Sequence, residues 1–201
     1  RPCDSGKETA LLDLLEEFEG EKVLVYSRFE RMISRISEIL TNKKVKHTRI
    51  TGKETKLSQR QAAKDSYQDP NSGVDIILIT DAGRESLNLQ ATKAILLYDT
   101  PWSAGDLIQL LGRAVRIGSK QDRVFAIHLV TQGNVAMGIM KTIDQRIMES
   151  VHKKMGYIEG ALGRRILGLE VDEGDDVVAI KLNSDIRDLY EQLKSDAMRV
   201  S

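Results

Sequence analysis

Gln109, Arg113 and Arg116 stand at i, i+4 and i+7 in the stretch Gln109-Leu110-Leu111-Gly112-Arg113-Ala114-Val115-Arg116-Ile117-Gly118. On a helix the three share one face, and Gly112 puts no side chain beside them, so another surface can come close. Two guanidiniums and an amide displayed together suit polyanionic oxygen, phosphate first of all. An isolated Arg-x-x-Arg is more often a solvated helix face, so the neighbouring segments decide its meaning.

Residues 80–89 follow an apolar run and contain Gly83, Ser86 and Asn88: a permissive backbone, a hydroxyl and an amide. A loop of that kind can turn N–H groups toward a phosphate or ribose. The stretch Tyr98-Asp99-Thr100-Pro101-Trp102-Ser103-Ala104 leads into the arginine segment. Pro101 stiffens the chain there, and Ser103 is placed to cap the helix. Trp102, the only tryptophan, reads first as a packing anchor and second as a base-stacking ring.

The elements that must position these groups alternate. Residues 23–26, 74–80, 93–98 and 124–130 are short apolar runs, with a more polar one at 46–50. Near-continuous apolar runs are expected of strands covered on both faces. Helical patterns fill the gaps at 30–41, 57–67 and 104–115, and Leu11, Leu14, Leu15 and Phe18 mark an amphipathic helix ahead of the first strand. Such alternation predicts an α/β fold, a parallel sheet with helices on both faces. Ligands then gather outside the carboxyl ends of the strands, where Gly52, 80–83 and 99–102 fall.

Beyond residue 131 the alternation stops. Ile139, Ile143, Ile147 and Val151 recur every fourth residue and predict one long helix over 135–155. Ser184 is placed to cap a further helix over 185–193, with Ile186, Leu189 and Leu193 on its apolar face. The run Asp172-Glu173-Gly174-Asp175-Asp176 reads as a solvated acidic turn.

With 201 residues and 41% apolar content, the chain is large enough for one substantial core. Its formal charge is +0, so nucleic acid would be held by a local patch rather than a basic surface. Only 4% is aromatic, which limits stacking platforms. Cys3 is the lone cysteine, too few for an internal disulfide or a cysteine-built zinc site. No run reaches membrane-spanning length and no signal peptide is visible, so the expected setting is intracellular and soluble, cytoplasm or nucleus. The start at Arg1-Pro2-Cys3, without methionine, reads as a piece of a longer polypeptide.

The ordered blocks 23–29, Thr51-Gly52, 80–89, 99–102 and 109–118 together resemble the second RecA-like lobe of superfamily-two helicases. The Arg113 to Gly118 form, with Trp102 upstream, is most similar to Swi/Snf-type translocases on double-stranded DNA. The resemblance implies a helicase C-terminal lobe with its brace helix over 7–155 and a C-terminal helical extension of open role over 156–201. It assigns Gln109, Arg113 and Arg116 to the arginine-finger motif, acting on the γ-phosphate of ATP. Gly83, Ser86 and Asn88 fall on the motif that links nucleotide state to DNA grip. Ser27, Arg28, Gly52, Lys53 and Thr80 would hold DNA phosphates, and residues 143–154 are similar to the helix bracing the two lobes. Ser86, where the family usually has glycine, and the Gly118-Ser119-Lys120 ending suit a divergent member.

A phosphate cradle of the Gly-x-x-x-x-Gly-Lys-Ser/Thr kind is absent from the sequence, since neither Gly6-Lys7 nor Gly52-Lys53 completes it. ATP with Mg2+ is therefore expected to sit mainly on an N-terminal RecA-like lobe of the same polypeptide, leaving this piece inactive alone. The expected partners are that lobe and double-stranded DNA, with no membrane, in a monomer. An RNA-directed helicase lobe is the alternative within the class, and a non-catalytic nucleic-acid-binding or docking module the alternative outside it.

Overall fold

Every residue of β1 (Val23–Tyr26), β3 (Ile76–Ile79) and β4 (Ala94–Leu97) is buried, as strands covered on both faces must be. The computed structural model describes residues 6–53, 56–84, 89–114, 124–131, 141–162, 171–173 and 177–182, without the side chains of 83–84, 113–114 and those from 155 onward. Three more elements precede β3: α2 (Glu30–Asn42) after β1, then β2 (His47–Ile50) and α3 (Leu57–Gln68). A single turn, α4 (Asp81–Arg84), leaves β3, and α5 (Ala104–Ala114) joins β4 to β5 (Val124–Leu129). At the ends lie α1 (Gly6–Glu17), α6 (Ile143–Leu162) and the short strands β6 (Val171–Glu173) and β7 (Val177–Leu182).

The sheet order is β2-β3-β1-β4-β5-β7-β6. The first five strands are parallel, with Val23 level with both Ile76 and Ala94. Side-chain alternation splits the core in two. Leu24, Tyr26, Ile77, Ile79, Ile95 and Leu97 face α3, α5 and α6, meeting Tyr67, Leu107, Leu110, Leu111 and Val151. Val23, Val25, Leu78 and Leu96 face α1 and α2, meeting Leu11, Leu14, Ile33, Ile36 and Leu40. Each fully buried aliphatic side chain contributes about 1.5–3 kcal/mol relative to exposure. Glu8 is buried between the two helices of that second layer, and its carboxylate takes both Nε and Nη2 of Arg35, the latter at 2.9 Å.

The sequence pattern goes astray after β5. The helix expected over 135–155 begins at Ile143, and 132–140 lie outside the described residues. A reciprocal cap fixes that start: the Gln145 N–H donates to Thr142 Oγ1 at 3.2 Å, and the Thr142 N–H to Gln145 Oε1 at 2.9 Å. Ile143 is consequently 76% exposed and off the buried stripe, which Ile147 and Val151 do follow. The helix runs on to Leu162, so the boundary drawn at 155 falls inside it.

Two strands join where only helix and turn were expected. β7 pairs antiparallel with β5 over Val124↔Leu182 to Leu129↔Val177, and β6 pairs with β7. Asp172 and Glu173 are therefore strand residues opposite Ala179 and Val178, not part of a turn. Residues 174–176 and the helix expected over 185–193 lie outside the described residues.

Candidate functional site at the carboxyl edge of the sheet

Four loops leave the carboxyl ends of neighbouring strands, and short polar side chains lace them together. Ser27, directly after β1, is fully buried; its hydroxyl donates to Asp99, which follows β4, and accepts the Phe29 N–H at 3.2 Å. Tyr26 Oη donates to Asp81 Oδ1 at 2.7 Å and so ties β1 to the turn after β3. Bonds to an ionised carboxylate are roughly twice as strong as neutral ones, which suits loops that must hold a fixed shape. Thr51, buried after β2, accepts the Lys53 N–H at 3.2 Å and donates to Glu30 Oε1 at 3.2 Å. Lys53 Nζ stands 3.5 Å from the same Glu30 oxygen and 3.3 Å from Ser34 Oγ.

These bonds divide the expected phosphate contacts. Arg28, Gly52 and Lys53 reach solvent. Ser27 and Thr80 do not: Ser27 has its hydroxyl committed, and the Thr80 N–H donates to Ile50 O at 3.4 Å. Both side chains are buried in the loops they belong to. A Cβ on Gly52 would meet only Ala82 Cβ, at an ordinary 3.7 Å, so packing within the lobe does not require glycine there. Of the loop after β3, Gly83 is the second residue from the end of α4, while Ser86 and Asn88 lie outside the described residues.

Trp102 corrects the packing reading. Its ring is 59% exposed, and the Arg28 guanidinium carbon stands 3.9 Å from the ring centroid. The indole leaves the strand exit outward, with a cation against it. Burial of Pro101 and Ala104 on either side holds the turn that presents it.

α5 starts from this edge. Ser103 caps it, accepting the Asp106 N–H at 3.0 Å, and Asp106 places a negative charge in the first turn. Leu107, Leu110 and Leu111 are buried against the sheet, which leaves Gln109 exposed on the other side. Nothing lies within 4 Å of where a Cβ of Gly112 would stand, so that side of the helix is open. Arg113 is placed in α5 by its backbone; Arg116 lies outside the described residues.

Sequence reasoning missed the seat of α6. Lys7 Nζ donates to Tyr98 O at 3.0 Å, pairs with Asp144 at 2.6 Å and lies 5.4 Å from the Tyr98 ring centroid. Burial alone would raise the Asp144 carboxyl; hydrogen bonds from Lys7 and the Thr131 N–H, with the lysine charge, hold it below the usual carboxylate range. Deeper, His128 of β5 is fully buried and meets Thr100 Oγ1 at 3.3 Å through Nδ1. His152 of α6 stands edge-on to it, ring centroids 6.4 Å apart. Burial, with the second imidazole beside it, pushes His128 down to about 3, and burial lowers His152 as well. Among the described residues, Nε2 of each is buried and finds no hydrogen-bond partner.

Parallel strands β1 to β5 with helices on both faces define a RecA-like α/β lobe. The chain belongs to the helicase conserved C-terminal domain family, matched over residues 6–118. It is 28% identical over 162 residues to the CHD3-type chromatin-remodeling factor PICKLE of Arabidopsis thaliana, a match covering 80% of this chain and 11% of that protein. The chromatin-remodeling ATPase INO80 of Aspergillus oryzae is 33% identical over 145 residues, covering 71% of this chain and 10% of that protein. The chain thus spans about a tenth of the length of these relatives. Among solved structures, the C-terminal part of the Fun30 ATPase domain superposes with a TM-score of 0.58 at 25% identity, covering 72% of this chain and 48% of that one. Among the described residues no helix is long and apolar enough to cross a membrane.

Proposed function

We propose that this chain is the C-terminal motor lobe of an ATP-dependent translocase on double-stranded DNA, working with an N-terminal RecA-like lobe of the same polypeptide. The observation that carries this reading is α5: capped by Ser103 and buried along its leucines, it leaves Gln109 exposed and Gly112 open to an approaching surface. Gln109, Arg113 and Arg116 then serve a phosphate held mainly outside this lobe. No three His, Cys, Asp or Glu side chains gather into a metal cage among the described residues, and magnesium belongs in this reading to the other lobe. Bound ATP with magnesium supplies the phosphoanhydride whose cleavage drives the cycle. The arginines offset the charge that develops on the transferring oxygens, the part worth about three to five orders of magnitude in rate.

Arg28, Gly52 and Lys53 grip the DNA backbone, on loops whose shape Ser27, Thr51 and Thr80 fix. Such contacts are sequence-independent and weaken with salt. Gly83, Ser86 and Asn88 carry the change of nucleotide state to that grip. The exposed Ile143 end of α6 faces away from the core and suits contact with the other lobe.

The test is Arg116→Ala in the two-lobe protein. DNA-stimulated phosphate release should fall about a thousandfold, while DNA affinity stays within about twofold. Normal turnover in that variant would overturn the finger assignment. The 201-residue chain alone should release no phosphate with or without DNA; measurable DNA-stimulated release would overturn the division of labour between lobes.

A further inference from the structure

Ser37 of α2 turns its hydroxyl away from its own helix. A helical serine or threonine often returns its hydroxyl to the carbonyl one turn back, and Thr41 does so, donating to Ser37 O at 2.7 Å. Ser37 Oγ stands instead 2.7 Å from Nε2 of His47, the first residue of β2. The other ring nitrogen, Nδ1, lies 3.0 Å from Val45 O. A carbonyl oxygen only accepts, so Nδ1 carries the proton of the neutral ring and Nε2 offers its lone pair to the Ser37 O–H. A hydroxyl bonded to one imidazole nitrogen, with the second nitrogen held by an acceptor, is the arrangement that makes a serine nucleophilic.

The sheet brings a cation to the same place. His47 is level with Ile76 and Arg49 with Leu78, and both of those partners belong to the core layer against α2. Side chains level on neighbouring strands point to one face. His47 and Arg49 therefore stand on the α2 side of the sheet, with Ser37. All three line a groove of about 540 Å³ along β2, the outermost strand. From the other side α3 contributes Ala62 and Ala63, whose methyl groups fill little of it.

A hydroxyl, an imidazole and a guanidinium are the groups that acyl transfer uses as nucleophile, base and partner of the developing charge. We propose that Ser37 and His47 form a nucleophilic dyad that hydrolyses small activated carboxylic esters, with Arg49 supplying positive charge to the same groove. Ser37 Oγ attacks the ester carbonyl carbon while Nε2 takes the hydroxyl proton. The C–O bond to the alcohol breaks, the alcohol leaves with that proton, and the acyl group stays on Ser37. Water then attacks the acyl carbon and gives a proton to Nε2; Ser37 Oγ leaves and recovers it, and the carboxylic acid departs. The net change is ester plus water to acid plus alcohol. This site is independent of the motor reading.

A fluorophosphonate probe and p-nitrophenyl acetate test it on the 201-residue chain. The probe should attach to Ser37, as located by peptide mass spectrometry, and not to Ser34 one turn earlier. Nitrophenol release should fall about a hundredfold in Ser37→Ala and in His47→Gln, with circular dichroism unchanged. Ser37→Cys, of nearly the same shape, should be acetylated at residue 37 and lose that reactivity when His47→Gln is added. Labelling that spares Ser37, or that survives His47→Gln, would overturn the dyad. Release that persists in Ser37→Ala would sink it too, by assigning the hydrolysis to another group.

Discussion

The two edges of one sheet treat their polar groups in opposite ways. At the carboxyl edge Ser27, Asp99, Tyr26, Asp81, Thr51 and Glu30 bond to one another, and the loops are braced before any ligand arrives. At the amino edge the side chains of Glu16, Glu19, Glu21, Lys43, Lys44 and Lys46 make no ion pair among the described residues and surround a cavity, where only Asp75 is paired, with Lys22 at 3.0 Å. Parallel strands impose this asymmetry, because all five release their loops toward one side. A site that must present groups in a fixed geometry sits where loops can brace each other.

The largest effect that would sharpen this contrast lies at the seat of α6, near the braced edge. A histidine held neutral by burial stabilises the fold above its ordinary pKa of 6.5, and the contribution drains away as pH falls toward about 3. At full extent such a shift is worth on the order of 5 kcal/mol. Asp144 acts in the same direction but lower, its contribution present above the usual carboxylate pKa and lost beneath it. The melting temperature should therefore drop between pH 6.5 and 4, and His128→Leu should move that drop to lower pH. An unchanged acid limb in His128→Leu would clear the imidazole of this role.

Next comes the brace itself. Asp99→Ala strips the buried Ser27 hydroxyl of its acceptor and should cost about 1–3 kcal/mol in denaturant unfolding, with a loss of DNA affinity as the loop after β1 loosens. A variant of full stability and full affinity would make the Ser27–Asp99 bond incidental to the edge.

The smallest effect belongs to the exposed ring. Trp102→Ala should leave the melting temperature within a degree or so, because the side chain is 59% exposed. Affinity for nucleic acid should fall about tenfold if the indole stacks on a base. A drop in stability without a drop in affinity would return Trp102 to a packing role.

Much of this arrangement was legible in the sequence. β1, β3 and β4 announced themselves because both faces are buried, so each run is apolar throughout, whereas β2, half-buried, is the more polar run; β1 falls on the expected residues and the other four parallel strands within two of them. Placement of Gly52 and of the 99–102 turn at one edge followed from strand direction alone. Exposure did not follow. Ser27 reads like a surface hydroxyl until Asp99 is known to come from a neighbouring strand, and Trp102 reads like core until its turn is seen to face outward. β6 and β7 escaped because short antiparallel additions leave no βα period to extend, although the run Val177–Leu182 is as apolar as β5. The Thr142 and Gln145 cap was readable as a Thr-x-x-Gln pattern, and the fourfold spacing of isoleucines running through it hid the helix start.

Gly6-Lys7, a failed phosphate cradle by sequence, has another use. Its ammonium joins the first helix to the exit of β4 and to the first turn of α6, almost the whole length of the lobe apart. During synthesis that closure must wait until α6 has emerged, however early α1 and β1 leave the ribosome. A chain cut short before residue 144 would keep the Glu8–Arg35 tie of its opening helix to α2 and lose the tie from Lys7 to α6.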